Sequence, residues 1–133
     1  MLGIYEDGVL KQSLSSQTPN SDSIIEFLSE IKKTYKIERI LYTNGPGSFM
    51  GLKVSYVILR IFCDINNIAF GAISAFSLNN NATINAKRGF CFALKNGEII
   101  IKKGEGKILS LPENLNILKP LDDTLPNYIL DAI

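Results

Sequence analysis

The chain has no histidine and no tryptophan, and only two of its 133 residues are cysteine. The absence of histidine removes the most common general base, the Ser-His and Cys-His nucleophile pairs, and the most common metal ligand. Cys63 and Cys91 stand far apart in apolar surroundings, which is typical of reduced core thiols and not of a Cys-x-x-Cys redox or zinc site. The sequence therefore predicts no metal site and no histidine-dependent catalysis.

The chain also lacks a strong excess of charge and a long apolar run. Its 14 basic and 13 acidic residues give a net charge of +1, which provides no global attraction to nucleic acid or to a membrane. No stretch reaches the ~18 uncharged apolar residues that span a bilayer, and Met1 is not followed by a basic and then an apolar signal segment. We therefore expect a cytoplasmic protein without a membrane partner.

Hydrophobic periodicity and turn residues predict an α/β chain. The predicted elements are, in order, a hairpin at Leu2–Ser15, a helix at Ser23–Tyr35, a strand at Arg39–Thr43, a helix at Met50–Asn66, a strand at Ile68–Ile73, a hairpin at Phe90–Lys102, a strand at Lys107–Leu111 and a helix at Asn127–Ile133. Asp-Gly and Asn-Gly dipeptides mark the hairpin turns, and Ser23 with Glu26 forms a capping box. The polar loop at residues 79–81 predicts a first lobe at residues 1–78 and a shorter second lobe at residues 79–133.

The most informative segment is the glycine-rich turn between the strand Arg39–Thr43 and the helix that follows it. Its residues are Asn44-Gly45-Pro46-Gly47-Ser48-Phe49-Met50-Gly51-Leu52-Lys53. Such a turn presents backbone N–H groups at a helix start, where they face an anion or a closely packed backbone, and Ser48 is the candidate N-cap. The spacing does not fit a Walker A loop, because Gly51 is followed by Leu52. It also misses the dinucleotide fingerprint, because three residues separate Gly47 from Gly51.

Each of the two long predicted helices has apolar residues at helical spacing. In the first helix these residues are Ile24, Phe27, Leu28 and Ile31. The second helix is apolar almost all round. Its apolar surface, which includes Val54, Ile58 and Ile61, is wider than one sheet face can cover. The excess apolar surface belongs either to a buried central helix or to an interface with a partner protein. The residues by themselves leave both possibilities open.

The glycine-rich turn resembles a family signature. The stretch Gly45–Lys53 is similar to the Gly-Pro-Gly-Ser-Phe-Thr-Gly-Leu/Val-Arg sequence of the TsaB (YeaZ) family, and Asn67–Phe76 resembles the strand and helix start that follow it in that family. The resemblance extends from about Gly3 to Phe76. It implies an actin-like, ribonuclease-H-like fold with a mixed sheet, flanking helices and a reduced second lobe.

The same resemblance implies a non-catalytic role. TsaB-like proteins are partner subunits of TsaD in tRNA threonylcarbamoyladenosine synthesis, with a TsaE-type ATPase as the third member and tRNA reached indirectly through the complex. They pair with TsaD through their first two helices, which assigns the apolar residues of both helices here to the partner interface. The turn would shape the joint between subunits, beside any ATP or ADP bound there, through Gly45, Pro46, Gly47, Ser48, Phe49 and Gly51. Without TsaD, the same helices would pair two copies of this chain.

Two departures from the family argue against ATP hydrolysis. Family members begin with a strand that carries an Asp-Thr-Ser/Ala turn, whose aspartate contacts phosphate in actin-like ATPases, and no counterpart precedes Gly3. Asn85-Ala86-Lys87 stands where the family has Asp-Ala-Arg. In the family, this missing strand lies in the sheet between the hairpin and the strand that Arg39–Thr43 resembles. We therefore expect direct pairing of Gly3–Tyr5 with Ile40–Thr43, a strand supplied by another chain, or a start farther upstream.

Two other interpretations of the turn stay open. A small phosphate- or nucleotide-binding enzyme of the actin-like ATPase or kinase class would place a phosphate on Ser48 and the turn amides. In the third interpretation the glycines are only structural and let the strand and helix pack closely. Nucleotide binding by the isolated chain and pairing with TsaD distinguish the three.

Overall fold

The computed structural model describes residues 2–14, 21–86 and 88–127, and these form a mixed α/β arrangement. The helices and strands are β1 (Leu2–Glu6), β2 (Val9–Leu14), α1 (Ser21–Thr34), β3 (Arg39–Thr43), α2 (Phe49–Asn66), β4 (Ala69–Ile73), β5 (Ile84–Asn85), β6 (Phe90–Lys95) and β7 (Glu98–Lys103). Short 3₁₀ turns lie at Ala75–Leu78 and Leu115–Ile117. The predicted α/β class and both predicted hairpins are confirmed.

The described strands form three small sheets. β1 and β2 pair antiparallel, β3 and β4 pair parallel, and β5, β6 and β7 form an antiparallel sheet with β6 in the centre. The parallel pairing of β3 with β4 is consistent with their connection through α2, since parallel strands need a crossover that returns the chain to the end of the sheet where the first strand began. Among the described residues, no helix is long and apolar enough to cross a bilayer.

The N-terminal hairpin docks on a late segment of the chain and not on β3. The amide of Leu10 donates to the carbonyl of Glu113 at 2.8 Å, and the amide of Leu115 donates to the carbonyl of Gly8 at 2.7 Å. The Tyr5 hydroxyl donates to the carbonyl of Pro112 at 2.5 Å. The expected direct pairing of Gly3–Tyr5 with Ile40–Thr43 is therefore wrong, because among the described strands β1 pairs with β2 and β3 pairs with β4. The other two arrangements stay predictions.

Both helices pack on one face of the β3–β4 sheet. The core cluster takes one buried residue from each element: Leu28, Tyr42, Leu59 and Ala72. The ring of Tyr42 stacks on that of Phe70, with centroids 5.1 Å apart. The opposite face is covered by the later part of the chain, where the buried residues Ile73, Leu78 and Leu118 form a second cluster. The sheet thus lies between a helical layer and an irregular C-terminal layer.

The sheet of β5, β6 and β7 has its own cluster of buried residues, formed by Ala75, Phe76, Ile84 and Phe92. Ala75 and Phe76 belong to the 3₁₀ turn that follows β4, so this cluster includes residues on both sides of the predicted boundary between residues 78 and 79. The division into two lobes therefore stays a prediction.

Three predicted elements differ from the structure. Helix α1 begins at Ser21, so Ser23 lies inside the helix and is not its N-cap. The segment Lys107–Leu111 is not a strand, because its amides bond to separate places: that of Lys107 to the Thr83 carbonyl and that of Ser110 to the Leu78 carbonyl, both at 2.8 Å. The predicted helix Asn127–Ile133 lies almost entirely outside the described residues, and Asn127 itself is not helical.

Candidate functional site

The glycine-rich turn lies at the carboxyl ends of the parallel strands β3 and β4. The amide of Asn44 donates to the Ile73 carbonyl at 3.0 Å, and the amide of Ala75 donates to the Gly45 carbonyl at 2.9 Å. These two bonds fix the start of the turn against the end of β4. In open α/β sheets this end of the strands is the usual place for a ligand or functional loop.

Ser48 is the N-cap of α2, as its position in the sequence predicts. Its backbone is extended, with φ −67° and ψ 141°, and its hydroxyl oxygen accepts a hydrogen bond from the Gly51 amide at 3.1 Å. A Cβ atom at position 51 would lie 2.6 Å from the Ser48 Oγ atom, so a larger residue there would displace the hydroxyl from its capping position. One of the amides that an anion would use is therefore already bonded to Ser48.

The chain covers the turn with its own C-terminal segment. Asn44 is buried; its carbonyl accepts from the Asn127 amide at 2.8 Å, and its Nδ2 atom donates to the Leu125 carbonyl at 3.4 Å. The Tyr42 hydroxyl donates to the Thr124 carbonyl. Gly45 has φ +124°, and a Cβ atom there would lie 2.9 Å from the Asn127 carbonyl oxygen. No sequence pattern predicts that residues 124–127 lie on the turn; the one related signal is the polar residue Asn44 directly after the strand Arg39–Thr43.

Residues 44–52 of the turn have no titratable side chain, and Lys53, the last residue of the segment, lies in α2. The peptide bond between Gly45 and Pro46 is cis, and both residues are buried, whereas Ser48 is exposed. The first turn of α2 has no acidic residue, and the Lys53 ammonium lies 6.0 Å from the centroid of the Phe49 ring. Within residues 2–14, 21–86 and 88–127, no group of three or more His, Cys, Asp or Glu side chains is placed to hold a metal ion.

The buried thiol on α2 is not a nucleophile at neutral pH. Burial raises the pKa of Cys63 to about 11; the nearby Asp64 carboxylate adds to the increase and Arg60 opposes it. Since the thiolate is the reactive form, a thiol with this pKa stays protonated in the cell. Cys63 therefore acts as a core residue, in agreement with the sequence analysis.

Helix α2 has two apolar faces, and only one of them contacts the sheet. The core-facing residues Leu52, Tyr56, Leu59 and Cys63 follow one another at spacings of four, three and four. At 100° per residue, a second stripe lies on the opposite side of the helix. This outer stripe consists of Met50, Val54, Val57, Ile61 and Ile65.

Most of the outer stripe is open to solvent. The exposed fractions are 62% for Met50, 43% for Val57, 52% for Ile61 and 76% for Ile65. Val54 and the adjacent Ile58 are half-buried. A groove of about 270 Å³ follows the start of the stripe and is lined by Met50, Lys53, Val54, Val57 and Ile58. The glycine-rich turn and the outer stripe therefore meet at the first turn of α2.

The apolar residues predicted for the interface on α1 are less accessible. Leu28 is part of the core cluster, and Ile24 packs against that cluster. Phe27 and Ile31 are half-buried, whereas Ile25 is 49% exposed. The structure thus brings the turn together with the residues on α2, but it turns much of the α1 stripe toward the core of the same chain.

No protein-family model matches the chain, and no curated protein matches it. Two solved structures from Pseudomonas aeruginosa are similar to it. YeaZ has 15% sequence identity and a TM-score of 0.45, with 67% of this chain and 51% of that chain covered. A protein described as having similarity to peptidase YeaZ has 17% identity and a TM-score of 0.42, with 66% of this chain and 49% of that chain covered. The chain thus spans about half the length of the structures it matches. The first of these structures is named YeaZ, and the second is described by its similarity to YeaZ.

Proposed function

We propose that this chain is a non-catalytic partner subunit of a TsaD-type protein that modifies tRNA to N6-threonylcarbamoyladenosine. The observation that carries this proposal is the outer stripe of α2, which begins at the turn with the family-like signature and has no covering layer among the described residues. In this proposal the α/β arrangement is a reduced actin-like fold, and the role places the chain in the cytoplasm.

The outer stripe has the form of a helix-pairing surface. Its residues recur at spacings of four, three, four and four, which keeps them in line along the helix and is close to the pattern of a coiled-coil seam. Large apolar side chains in one continuous exposed row usually mark a contact with another macromolecule. A helix of the partner that packs along Met50, Val57 and Ile61 would remove them from water. We place Phe27 and Ile31 of α1 at the margin of this contact and exclude Leu28, which is part of the core cluster.

The proposed role of the glycine-rich turn is to shape the joint between the two subunits. The Gly51 amide donates to the Ser48 hydroxyl and the Asn127 amide to the Asn44 carbonyl, so hydrogen bonds hold the turn at both ends. Because residues 44–52 have no acidic or basic side chain, the chemistry is assigned to the partner, with ATP or ADP at the joint as a further element of the proposal. A TsaE-type ATPase and tRNA would be reached through the complex.

The test of this proposal is pairing with the TsaD protein of the same genome, measured by co-purification and by titration. Ile61→Asp places a charge on the outer stripe at a position that is half exposed in the free chain. Burying this charge without a partner costs roughly 2–5 kcal/mol, which weakens association about thirtyfold or more. The melting temperature of the free chain should change little, because exposed substitutions usually alter stability by less than ~0.5 kcal/mol.

Ile108→Asp is the matched control, because Ile108 is 91% exposed and lies outside both helices. It should pair with TsaD as the natural chain does. Ile58→Asp, at a half-buried position, tests the border of the stripe and should weaken pairing with some loss of stability. Normal pairing of Ile61→Asp and Ile58→Asp with TsaD would overturn the interface. Size-exclusion chromatography of the same variants without TsaD shows whether two copies of this chain use the stripe.

A further inference from the structure

The overall charge of the chain conceals a strong local segregation. Six of the 14 basic residues and two of the 13 acidic residues fall between positions 87 and 107, a net charge of +4, whereas the remainder of the chain carries −3. This basic stretch contains the β6–β7 hairpin and the turns on either side of it. The near-zero net charge therefore does not describe the surface that a ligand would meet here.

The fold gathers three of these cations at one end of the hairpin. The register of β6 and β7 places Lys103 opposite Phe90 and Lys102 opposite Cys91. The Gly104 amide donates to the Gly89 carbonyl at 2.9 Å, which joins the end of β7 to the turn that holds Arg88. We call the group formed by Arg88, Phe90, Lys102 and Lys103 the basic end.

Within residues 2–14, 21–86 and 88–127, the cations of the basic end form no ion pair. The ion pairs among the described residues join Lys33 to Glu30 and Arg60 to Asp64, and both lie on the helices. Glu105 follows Lys103 by two residues, but its carboxylate forms no ion pair in the described part of the chain, so the basic end keeps an excess of positive charge. Arg88, Lys102 and Lys103 are all exposed.

An aromatic ring shares a face of the hairpin with one of these cations. Lys103 pairs with Phe90 and lies on its face, whereas Lys102 pairs with Cys91 and lies on the other face of the edge strand β7. Phe90 is 39% exposed, whereas Phe92, the next aromatic residue on the same face of β6, is fully buried in the core. Cations next to an exposed aromatic ring suit an unpaired stretch of nucleic acid, because the phosphates meet Lys and Arg while a base stacks on the ring. The carboxylates of an acidic protein segment would pair with the cations, but they provide no planar group to stack on the Phe90 ring.

We propose that single-stranded or looped RNA crosses the edge of β7 at the basic end, with a base stacked on Phe90 beside Lys103 and with phosphates meeting Arg88, Lys103 and, across the edge, Lys102. This goes beyond the proposed function, in which tRNA is reached only through the partner. It does not rest on that function, since binding is measured on this chain alone.

The probe is a fluorescein-labelled oligouridylate of about 12 nucleotides, long enough to cross one small binding surface. Fluorescence anisotropy of the full chain should show binding that weakens with salt. Three phosphate contacts on a single strand give a slope of log K against log salt of about −2, so affinity should fall about 20-fold between about 50 and 200 mM salt.

The double variant Lys102→Gln/Lys103→Gln should bind about tenfold or more weakly at low salt, with a slope reduced by about 1.4. The matched control is Lys32→Gln/Lys36→Gln, which removes the same charge from two exposed lysines at the end of α1 and in the loop after it. The control should retain the slope of the natural chain. Phe90→Leu should lower affinity about fivefold or more and leave the slope unchanged, because stacking carries no charge.

Three results would overturn the inference. The first is a lack of oligouridylate binding at low salt, and the second is an equal loss of affinity in the control and in the hairpin double variant. The third is binding to poly-glutamate, or to vesicles of phosphatidylcholine and phosphatidylserine, that is as tight as binding to oligouridylate or tighter and depends equally on Lys102 and Lys103. A chain that pairs with TsaD but binds no oligouridylate overturns this inference and leaves the proposed function intact. A chain that binds oligouridylate but does not pair with TsaD does the opposite.

Discussion

The Asn127 amide donates a hydrogen bond to the Asn44 carbonyl at 2.8 Å, which joins a late segment of the chain to the end of β3. Asn44 also bonds to Ile73 through its amide and to Leu125 through its side chain. One buried residue thus ties together two strand ends and the C-terminal segment. The candidate site is therefore a product of the whole chain, although its signature lies within ten residues of sequence.

The first prediction concerns the contact between Gly45 and the Asn127 carbonyl. Gly45→Ala should lower the free energy of unfolding by roughly 2–4 kcal/mol, since the new Cβ atom adds a steric conflict to the strain of φ +124°. Gly104→Ala is the control, because Gly104 has φ +143° but a Cβ atom there meets only the Cys91 sulfur at an ordinary 3.5 Å. Denaturant unfolding should show a difference of about 1 kcal/mol or more between the two variants. Equal stabilities of the Gly45→Ala and Gly104→Ala variants would mean that the Asn127 carbonyl makes no close steric contact with position 45.

The second prediction concerns the cap of α2. Ser48→Ala should destabilise the chain by about 1 kcal/mol, because the Gly51 amide loses its acceptor, and Ser48→Asp should retain most of the stability. Ser110→Ala removes a hydroxyl from an exposed position in an irregular segment and should have almost no effect. Thermal melts followed by circular dichroism measure all three. A Ser48→Ala variant as stable as the natural chain would exclude a capping role.

The third prediction is that the purified chain does not hydrolyse ATP. A nucleotide site that hydrolyses ATP needs carboxylates to hold the metal that neutralises phosphate charge, and the turn has none. Asn85, which the resemblance aligns with a family aspartate, accepts a hydrogen bond from the Gly106 amide at 2.7 Å through its side-chain oxygen. Phosphate release should stay at the level of a blank. Steady turnover that Ser48→Ala abolishes would favour the enzyme interpretation of the turn.

The fourth prediction concerns the dependence of stability on pH. Burial, together with Asp64, raises the pKa of Cys63 from 9.0 to about 11, while Arg60 opposes the shift. Above pH 9 the unfolded chain releases the thiol proton before the folded chain does, so the free energy of unfolding should fall as the pH rises from 9 to 11. The loss should be roughly 2–3 kcal/mol for this one group, and it is absent below pH 9.

Cys63→Ala provides the control for this pH dependence. The variant should be less stable at neutral pH, because it leaves a small cavity in a packed site. Its stability should nevertheless fall less steeply than that of the natural chain between pH 9 and 11, since the titrating thiol is gone. Parallel pH profiles of the two proteins in denaturant unfolding would contradict the assignment.

Local sequence signals predicted most of the elements. The Asp-Gly and Asn-Gly turns placed both hairpins, and Ser48 marked the start of α2. These features depend on a few adjacent residues, through turn geometry and capping. The segment Lys107–Leu111 shows where such reasoning fails: its apolar residues suit a strand, but its amides meet two separate carbonyls, so no ladder forms. The short strand β5 had no signal of its own and exists because it pairs with β6.

The sequence by itself determined that α2 is apolar on two sides, that the turn before it has no acid or base, and that histidine chemistry is absent, because these are properties of composition and spacing. Only the tertiary structure decided which side of α2 meets the sheet, since both sides have enough apolar surface and the choice depends on contacts with Tyr42 and Leu28. It also decided that residues 124–127 cover the turn and that Arg88, Lys102 and Lys103 gather at one end of a hairpin. Such arrangements join positions far apart in the chain, and no local periodicity specifies them.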